Sequence, residues 1–519
     1  MTQLRIGIDV GGTNTDAIIV DQDGTVVATT KAATTPDPSD GIRAALDAVI
    51  AGIDKSSVTQ AMLGTTHPAN AIIRRKDLEK VGVLRLAAPS SLAVRPGAAW
   101  PKDLHAEVIG PRQIIRGGFE YDGREISPLD EDAVRAFAAE CVGTVNSVAI
   151  TSAFAPASFD HELRAAQIIA DEVGDALRIG LSHRVGSIGM LERENATILN
   201  AALFGVAQAV VNGFHAALES HGLDVDSYLT QNDGTLMTSE EATRLPILTV
   251  GSGPTNSMRG ACALAGLADA LVIDVGGTSA DVGILIDGFP RESSAAVEVG
   301  GVRTNFRMPD LISIGLGGGT IVSGQHGSVT VGPDSVGYRV ITEALINGGS
   351  TLTLSDISTA AGRLSGFGEA ARVSDLDPMI VAESLAWVDE QVQILCERMK
   401  ASRTALPLIA VGGGSHLVPN SVPGIAEVIR PAHHAVANAF GAAIAEASGA
   451  VDRVYRYEAD GREACLDDAK QLAHDAAVRS GADPNHVRIT SVVEVPMTYL
   501  PGQGCRVQVK AAGPLAPTA

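Results

Sequence analysis

The sequence predicts an α/β protein built from two related lobes around a cleft. Three observations predict this fold class: strand-like and helix-like segments alternate, one octapeptide occurs twice, and a third glycine turn follows later. Such alternation is typical of α/β folds. The 519 residues are enough for two large lobes and a small α+β segment. We expect the first lobe at residues 1–190, the second at 191–449 and the small C-terminal segment at 450–519.

The repeated octapeptide is Asp9-Val-Gly-Gly-Thr-Asn-Thr-Asp16 in the first lobe and Asp274-Val-Gly-Gly-Thr-Ser-Ala-Asp281 in the second, identical at six of eight positions. Each copy lies between two apolar runs, which predicts a strand, a tight glycine turn and a second strand. Paired glycines let backbone amides approach an anion, and Asp and Thr suit a hydrated Mg²⁺ and a phosphate oxygen. Two ordinary Gly-Gly hairpins would explain either copy alone. The repetition of the flanking acids favours two phosphate-binding turns.

The two turns supply the predicted ATP and Mg²⁺ ligands. Asp9 and Asp274 should face each other across the cleft and position Mg²⁺, directly or through water. The residues expected to contact phosphate are Gly11, Gly12, Thr13, Gly276, Gly277 and Thr278. The later acids, Asp16 and Asp281, either join the metal site or orient the turns by accepting backbone amides.

The third glycine turn, Gly412-Gly413-Gly414, follows the apolar run Leu408–Val411. It admits a flat base and a ribose against the backbone, although glycine turns between strand and helix are common. Its position after the two phosphate turns predicts a nucleoside site. His416 is more consistent with a loop residue or a ribose contact than with a catalytic base.

The remaining helices, strands and loops are predicted from the periodicity of apolar residues and from the Gly, Pro and capping residues that end these elements. Apolar residues on one face and a cap at Ser39 or Asp40 predict a helix that ends at Gly52. The two irregular stretches, rich in Gly or Pro, are 88–118 and 289–337. We expect four further helices, at 130–141, 160–173, 191–219 and 466–480. We also expect strands at 147–150, 487–495 and 504–509.

Candidate residues for a second substrate lie in two places. After the apolar run 61–63 come polar groups suited to an amide carbonyl or N–H: Thr65, Thr66, His67 and Asn70. Such side chains also commonly satisfy nearby backbone groups. Glu192, Glu194 and Asn195 begin the predicted long helix, where carboxylates also favour the positive helix end. We predict His67 and Glu194 as catalytic residues beside Asp9 and Asp274.

The order of phosphate turn, second phosphate turn and nucleoside turn resembles the acetate and sugar kinase, Hsp70 and actin superfamily. Within it, several segments between about residues 5 and 449 are similar to the hydantoinase A/5-oxoprolinase family. These segments are Leu63-Gly-Thr-Thr-His-Pro-Ala-Asn-Ala-Ile72, Leu191-Glu-Arg-Glu-Asn-Ala-Thr-Ile-Leu-Asn-Ala-Ala202, Gln231-Asn-Asp-Gly-Thr-Leu-Met-Thr238, Gly251-Ser-Gly-Pro254 and Ile314-Gly-Leu-Gly-Gly-Gly319. Only about seventy residues follow Gly449, where long family members carry a sizeable domain, and His67-Pro68 replaces small apolar residues.

This resemblance implies two duplicated ribonuclease H-like lobes that close on ATP. The helices at 191–219 and 437–445 would connect the lobes. It also implies an ATP-dependent amidohydrolase subunit that phosphorylates the carbonyl of a cyclic amide or imide, of hydantoin, 5-oxoproline or lactam type. Hydrolysis would be completed with a hydantoinase B-like subunit in a hetero-oligomer. Two alternatives are an ATP-using subunit of an acetone or acetophenone carboxylase and a non-catalytic nucleotide switch.

Composition narrows the partners and the compartment. The formal net charge of −21 argues against nucleic acid or an anionic membrane, because phosphate binding relies on Lys and Arg. The five cysteines are widely spaced and form no C-x-x-C pair, which is typical of thiols in a reducing compartment. We find no signal peptide and no apolar run long enough to cross a bilayer, and we therefore expect a cytoplasmic protein.

Overall fold

The computed structural model describes residues 3–12, 14–33, 38–293, 296–400, 402, 404–498 and 503–517. It has an α/β fold with mixed sheets, as the sequence predicts. Thr13, a predicted phosphate ligand, lies outside the described residues.

The strands follow one another in this order: β1 Leu4–Val10, β2 Asn14–Asp21, β3 Val26–Ala33, β4 Val58–Thr65, β5 Val81–Ala88, β6 Ile109–Arg116, β7 Ser147–Ser152, β8 Arg178–Leu181, β9 Asp226–Thr230, β10 Leu236–Thr238, β11 Ala270–Val275, β12 Ala280–Ile286, β13 Phe289–Pro290, β14 Val297–Val299, β15 Val302–Thr304, β16 Leu311–Ile314, β17 Thr320–Ser323, β18 Thr330–Ser335, β19 Leu408–Val411, β20 Val428–Ile429, β21 Ala447–Arg456, β22 Arg488–Pro496 and β23 Gly504–Gly513.

The α-helices are α1 Pro38–Val49, α2 His67–Arg74, α3 Lys102–Val108, α4 Glu131–Cys141, α5 Asp160–Val173, α6 Ser182–Val185, α7 Met190–Ala202, α8 Phe204–Ser220, α9 Ser239–Arg244, α10 Ser252–Ala265, α11 Val340–Glu343, α12 Leu354–Ala360, α13 Pro378–Met399, α14 Ala437–Ile444, α15 Tyr457–Asp460 and α16 Arg462–Arg479. The predicted helices at 130–141 and 160–173 are confirmed as α4 and α5. Asp130 caps α4 by accepting a hydrogen bond from the amide of Ala133.

Two sheets of similar topology carry the repeated octapeptides. In the first sheet, β1 pairs antiparallel with β2 and parallel with β4, β2 pairs antiparallel with β3, and β4 pairs parallel with β9. In the second, β11 pairs antiparallel with β12 and parallel with β19, β12 pairs antiparallel with β13 and β16, and β19 pairs parallel with β20. Each octapeptide therefore joins two antiparallel neighbouring strands, β1 to β2 and β11 to β12, as the predicted strand, turn and strand require.

The first sheet has nine strands, in the order β22-β23-β21-β10-β9-β4-β1-β2-β3. Strands β22 and β23, from the predicted C-terminal segment, extend this sheet through β21. Strands β9 and β10, from the predicted second lobe, also belong to it. The predicted boundaries at residues 190 and 449 do not coincide with the edges of this sheet.

A third sheet is inserted between β4 and β9. It is parallel, with the order β6-β5-β7-β8, and its helices α4 and α5 pack on one another. The predicted irregular stretch 88–118 is therefore partly wrong, since it contains α3 and β6. Those two elements are regular because buried apolar residues such as Leu104, Val108 and Ile115 anchor them. The other irregular stretch, 289–337, contains only short strands, β13 to β18.

The helices that connect the two octapeptide sheets are α10 and α14. They approach closely because Gly260 faces the carbonyl of Ala437 and Gly441 faces the carbonyl of Asn256, and a Cβ at either glycine would overlap these atoms. The sequence identified α14 but assigned the other connection to 191–219. That segment is two helices, α7 and α8, bent by 45°. The bend follows from packing, since α7 lies against β7 and α8 against α1.

One observation concerns membranes. Among the described residues, no single helix has both the length and the apolar character to cross a bilayer, although the bent pair α7 and α8 meets these criteria by length and composition alone.

Candidate functional site

A cleft of about 550 Å³ lies where the two octapeptide turns meet the third glycine turn. Its volume is in the range of small-molecule sites. The predicted residues that line it are Asp9, Gly11, Gly12, Asp274, Gly276, Gly277, Thr278, Gly412, Gly413, Gly414 and His416. The structure thus brings together all three sequence-predicted turns, which are far apart along the chain.

The two octapeptide turns have matching backbone geometry. Asp9 is paired with Asp16 across the first hairpin and Asp274 with Asp281 across the second. In each turn the first glycine amide donates to a carbonyl three residues later, at 3.0 Å in the first copy and 2.9 Å in the second. The duplication in sequence is therefore a duplication in local structure as well.

Asp9 is buried and lies at the centre of a polar network. Asn256 Nδ2 donates to Asp9 Oδ1 at 3.3 Å, and Asn438 Nδ2 donates to Asp9 Oδ2 at 3.0 Å. Burial is the main cause that raises the pKa of Asp9 to about 6, and the negative charges of Asp16 and Asp274 add to it. The carboxylates of Asp9 and Asp274 are thus close enough to influence each other, as expected for residues that face one cleft.

Asp16 links the first turn to a lysine. Asn438 Nδ2 also donates to Asp16 Oδ2, at 2.9 Å, so one amide group joins Asp9 and Asp16. Lys31 Nζ lies 2.9 Å from Asp16 Oδ1 and donates to the carbonyl of Ala435 at 3.1 Å. Lys31 lines the cleft, and its positive charge opposes the increase that burial causes in the pKa of Asp274. No local motif singles out this lysine in the sequence.

The second turn has hydroxyl partners instead of amides. Burial raises the pKa of Asp274, while a hydrogen bond from Ser257 opposes the increase. Burial raises the pKa of Asp281 to about 6, and the Ser313 hydroxyl donates to its Oδ1. Ser257 follows Asn256 on α10, so this helix supplies one side chain to each turn.

Two glycines provide the space that the carboxylates of Asp9 and Asp274 occupy. A Cβ at Gly64 would overlap Asp9 Oδ1, and a Cβ at Gly412 would overlap Asp274 Oδ1. Gly412 also has a φ of +84°, a conformation that side chains disfavour. By contrast, a Cβ at Gly413 would meet nothing within 4 Å, so this glycine opens onto the cleft.

Apolar side chains form a further part of the cleft wall. They are Tyr338, Val340, Ile341, Leu364 and Phe367. Tyr338 and Ile341 are 56% and 58% exposed, so their side chains are open to the cleft. Flat apolar groups beside an open glycine turn suit a purine ring. The sequence missed this wall because short helical turns give no readable periodicity.

His416 is half-buried at the edge of the cleft. Burial and the charges of Arg430 and Arg363 lower its pKa to about 4, which leaves the imidazole neutral at pH 7. Its Nδ1 has no hydrogen-bond partner among the described residues.

The charges of the cleft fit a hard divalent cation. Four carboxylates line it (Asp9, Asp16, Asp274 and Asp281), whereas Lys31 is the single Lys or Arg side chain among its described lining residues. The described part of the chain contains no group of three or more His, Cys, Asp or Glu residues arranged to hold a metal. Mg²⁺ is commonly bound by one or two carboxylates together with nucleotide phosphates, so Asp9 and Asp274 fit it.

The predicted second-substrate residues are only partly brought to the cleft. Thr66 lines it, but His67 and Glu194 do not. His67 begins α2, with its Nδ1 3.0 Å from Thr65 Oγ1. Glu194 accepts two hydrogen bonds from Arg85, at 2.7 and 2.6 Å, and both side chains are buried. This ion pair gives the Glu194 carboxylate a structural role away from the cleft lining, and its predicted catalytic role remains a prediction.

Two family models match the chain. Residues 5–173 match the hydantoinase/oxoprolinase N-terminal region, and residues 193–367 match the hydantoinase/oxoprolinase model. The two matches together contain the first and second octapeptide turns.

Curated relatives extend the comparison. The chain is 28% identical over 393 residues to the caprolactamase subunit alpha of Pseudomonas jessenii, which is 70% of this chain and 55% of the relative. It is 26% identical over 396 residues to the acetone carboxylase beta subunit of Xanthobacter autotrophicus, 69% of this chain and 54% of the relative. The chain therefore spans about half the length of these relatives.

Solved structures show the same fold. The ATP-dependent caprolactamase from Pseudomonas jessenii superposes with a TM-score of 0.74 and 20% identity, covering 99% of this chain and 89% of that chain. A nucleotide-free acetone carboxylase superposes with a TM-score of 0.69 and 19% identity, covering 99% and 88%.

Proposed function

Because the chain belongs to the hydantoinase/oxoprolinase family, we propose that it transfers the γ-phosphoryl group of ATP to the carbonyl oxygen of a cyclic amide or imide. Phosphorylation of this oxygen makes the carbonyl carbon electrophilic. One water adds to this carbon and the ring C–N bond breaks, with the proton going to the leaving nitrogen, which gives an acyl phosphate. A second water attacks the same carbon and releases the carboxylate and phosphate. The single observation that carries the proposal is the pairing of Asp9 and Asp274 in one cleft with three glycine turns.

The residues of this chain have separate roles in the proposed reaction. The two octapeptide turns bind the phosphates through backbone amides and Thr278, and Gly412, Gly413 and Gly414 receive the nucleoside. Asp9 and Asp274 would hold Mg²⁺, which when bound neutralises charge on the transferring phosphoryl group. The acceptor amide enters beside Thr66, the one residue of the predicted acceptor set that lines the cleft.

We further propose that the two octapeptide sheets are duplicated ribonuclease H-like lobes. Their matching strand order and directions support this proposal, together with the matching turns. In this arrangement α10 and α14 are the connections around which the lobes close. The predicted division at residues 190 and 449 would then be replaced by lobes assembled from separate chain segments.

Ring opening is proposed to need a hydantoinase B-like subunit. The relatives are named as subunits of multi-subunit enzymes, which favours a hetero-oligomer. The cleft offers carboxylates and backbone amides, but its described lining contains no Cys that would serve as a hydrolytic nucleophile.

An isotope label on the carbonyl oxygen of the amide tests the proposed phosphoryl transfer. The chain, alone and with a B subunit encoded nearby, would be incubated with ATP and a lactam, hydantoin or 5-oxoproline labelled with ¹⁸O at the carbonyl. We expect amide-stimulated ATP hydrolysis and ¹⁸O in the released phosphate. Ring opening with no ATP hydrolysis, or no amide-dependent ATP hydrolysis with or without the B subunit, would contradict phosphorylation of the carbonyl. Label retained in the carboxylate alone would contradict hydrolysis of the phosphorylated intermediate at carbon.

A second candidate function is that of an ATP-using carboxylase subunit. This candidate is supported because the sequence identity of the chain to the two carboxylase subunits is similar to its identity to the caprolactamase subunit. In that reaction a ketone and bicarbonate replace the amide. ATP hydrolysis that requires both bicarbonate and a ketone, and ignores every amide, would select this alternative.

A further inference from the structure

A second cavity, of about 280 Å³, lies apart from the nucleotide cleft. The connections of the inserted sheet form one wall through Tyr121, Asp122, Gly123 and Ala157, and the C-terminal elements β21, α15 and α16 form the other. Within the described part of the chain, the two cavities have no lining residue in common. The volume is close to the lower limit of small-molecule sites, so the cavity suits a molecule smaller than a nucleotide.

The position of this cavity beside the inserted sheet is typical of a ligand site. Strands β5, β6, β7 and β8 are parallel, so their carboxyl ends lie at one edge of the sheet. Strand β6 ends at Arg116 and β7 at Ser152, and the residues of the first wall belong to the connections that follow these two strands. Open α/β sheets bind ligands outside the carboxyl ends of their strands, and ligand sites are also frequent where two domains meet.

Several contacts hold the two walls of the second cavity together. The amide of Val454 on β21 donates to the carbonyl of Pro156 at 3.0 Å. The guanidinium carbon of Arg453 lies 5.2 Å from the ring centre of Phe159, a distance at which a cation and an aromatic face attract each other. The cavity is therefore enclosed by two segments with a fixed relative position.

Two arginines, Arg453 and Arg456, give part of the lining a positive charge. Arg453 Nη1 donates to Asp468 Oδ2 at 3.4 Å, while Arg453 Nε is buried and has no acceptor among the described residues. Buried donors without a partner are rare in folded proteins, so this guanidinium lacks an acceptor that a ligand could supply. Arg456 is exposed and forms no salt bridge with a described residue. Guanidinium groups of this kind suit a carboxylate.

Three carboxylates give another part of the lining a negative charge. Asp122 is paired with Arg124 at 2.6 Å, and Asp468 accepts a hydrogen bond from the Tyr455 hydroxyl at 2.6 Å. Asp460, the last residue of α15, is exposed and forms no salt bridge with a described residue. Asp460 is therefore the lining carboxylate with the least compensation, and it suits an ammonium group.

We propose that the second cavity binds a small zwitterion, with its carboxylate at Arg453 and Arg456 and its ammonium group at Asp460. A molecule with only one of these charges would leave either the guanidinium groups or Asp460 without a partner. Ring opening of a lactam produces an amino acid, which belongs to this class. The identification of the ligand as a reaction product rests on the proposed function, whereas the site itself rests on the charges of its lining.

The location of the second cavity determines how such a ligand would act. An amino acid bound there touches the inserted sheet and the C-terminal elements but none of the residues that line the nucleotide cleft. We therefore expect it to bind without nucleotide and without competition from Mg²⁺ and ATP.

Calorimetric titration of the purified full chain, without nucleotide, tests the ligand class. The ligands are 4-aminobutanoate, 5-aminopentanoate and 6-aminohexanoate, and the matched controls are pentanoate and pentylamine, which each carry one of the two charges. We expect at least one amino acid to bind, and both controls to bind at least about tenfold more weakly, because each loses one charged contact. An excess of Mg²⁺ and ATP should leave the affinity for the amino acid unchanged.

Two variants test the residues. Arg456→Gln and Asp460→Asn should each weaken binding of the amino acid at least about tenfold. Both positions are exposed, so the fold should be retained, and thermal unfolding checks this. Arg456→Gln should also bring the affinity for the amino acid close to that for pentylamine, because the carboxylate loses a partner. Arg479→Gln and Glu463→Gln are matched controls, since both residues are exposed on α16 outside the cavity and should bind as the wild type does.

Four results would each overturn the proposal. They are no binding of any of the three amino acids, equal affinity for pentanoate or pentylamine, wild-type affinity in both Arg456→Gln and Asp460→Asn, and loss of binding in excess Mg²⁺ and ATP, which would assign the ligand to the nucleotide cleft. These measurements record binding without turnover. A lack of amide-dependent ATP hydrolysis would therefore contradict the proposed function separately, and it would remove the ligand's identification as a product without removing the site.

Discussion

The first and second octapeptide turns have the same backbone but different neighbours. Asp9 in the first turn accepts hydrogen bonds from two amide side chains, Asn256 and Asn438, and the adjoining Asp16 is paired with Lys31. In the second turn, Asp274 and Asp281 have single hydroxyl partners, Ser257 and Ser313. The duplicated part is thus the strand, turn and carboxylate, and the partners of the carboxylates differ.

This difference indicates a division of labour. Amide groups and an ammonium group fix Asp9 and Asp16 in place even without a ligand, since these donors satisfy buried carboxylate oxygens. The second turn has fewer donors, so its carboxylates depend more on a cation for stabilisation. We therefore expect the first turn to be preorganised and the second to become ordered by the metal and nucleotide.

The largest expected effect comes from removing either central carboxylate. Asp9→Asn and Asp274→Asn should each reduce kcat for ATP hydrolysis by roughly 100- to 1,000-fold, or about 3–4 kcal/mol, because each deletes a charge that organises the metal and phosphates. Steady-state phosphate release measures this, with Asp23→Asn, at an exposed position in the turn after β2, as the control.

The same two variants test whether the first and second turns differ in their contribution to nucleotide binding. If the first turn is preorganised by its own donors, Asp9→Asn should keep measurable nucleotide binding, whereas Asp274→Asn should lose more of its Mg²⁺-dependent affinity. Equal losses of affinity in titration calorimetry would contradict the proposed division. Near-wild-type turnover in either variant would contradict the two-carboxylate site itself.

Substitution of the glycines that face the carboxylates should have the next largest effect on turnover. Gly64→Ala and Gly412→Ala place a methyl group against Asp9 and Asp274, so each should reduce turnover by about 10- to 100-fold and lower thermal stability. Gly412→Ala should be the more destabilising, because its φ of +84° adds backbone strain.

Gly413 provides the matched control for this pair. Its Cβ position is open, so Gly413→Ala should change thermal stability little, whereas Gly413→Val should weaken ATP binding by occupying the nucleoside turn. If Gly64→Ala were as harmless as Gly413→Ala, the close approach of the first turn to Asp9 would have no functional role. Unchanged ATP affinity in Gly413→Val would count against the nucleoside assignment.

Much of the cleft can be predicted because its backbone motifs lie within short sequence segments and one of them occurs twice. Asp9, Asp274 and the three glycine turns follow from short segments whose chemistry can be read without tertiary contacts. Asn256, Ser257, Asn438 and Lys31 cannot be found in this way, since each reaches its carboxylate from a distant segment. The quoted motif Gly251-Ser-Gly-Pro254 ends two residues before Asn256, and it is the one local signal for this helix.

The errors have the same origin. Glu194 lies at a helix start among polar residues, which suits catalysis or capping equally well, and only the fold reveals the buried Arg85 opposite it. The sequence predicts a continuous helix at 191–219 because the composition of this segment is uniformly helical. Its bend is imposed by two different packing surfaces, which sequence periodicity does not encode.

The pH dependence offers a smaller and graded test of the two turns. Burial raises the pKa of Asp9 and of Asp281 to about 6, so both become protonated as the pH falls through 6. Affinity for the Mg²⁺ nucleotide should then decrease by about tenfold for each unit of pH below 6 and for each proton taken up.

Stability of the ligand-free protein should change in the opposite direction. A carboxyl group with a raised folded-state pKa contributes stability below its unfolded pKa and loses it as the pH rises through the folded pKa. As the pH falls from about 6 to about 4, these two groups should therefore stabilise the fold. Asp9→Asn should flatten this part of the thermal unfolding profile. An unchanged profile in that variant would show that Asp9 does not titrate in this window.

The smallest expected effect concerns Lys31, the feature that most separates the first turn from the second. Lys31→Met removes the ammonium beside Asp16 and leaves the carboxylates of the first turn closer in character to those of the second. The remaining amide donors still hold Asp9, so we expect a loss of about three- to tenfold in turnover rather than inactivation. Lys31→Arg keeps the charge and should recover part of this loss. The decisive readout is the Mg²⁺ dependence: without the lysine, the first turn should rely on the cation as the second does, and the Mg²⁺ concentration for half-maximal activity should change. Full activity and an unchanged Mg²⁺ dependence in Lys31→Met would show that the asymmetry between the two turns has no part in the reaction.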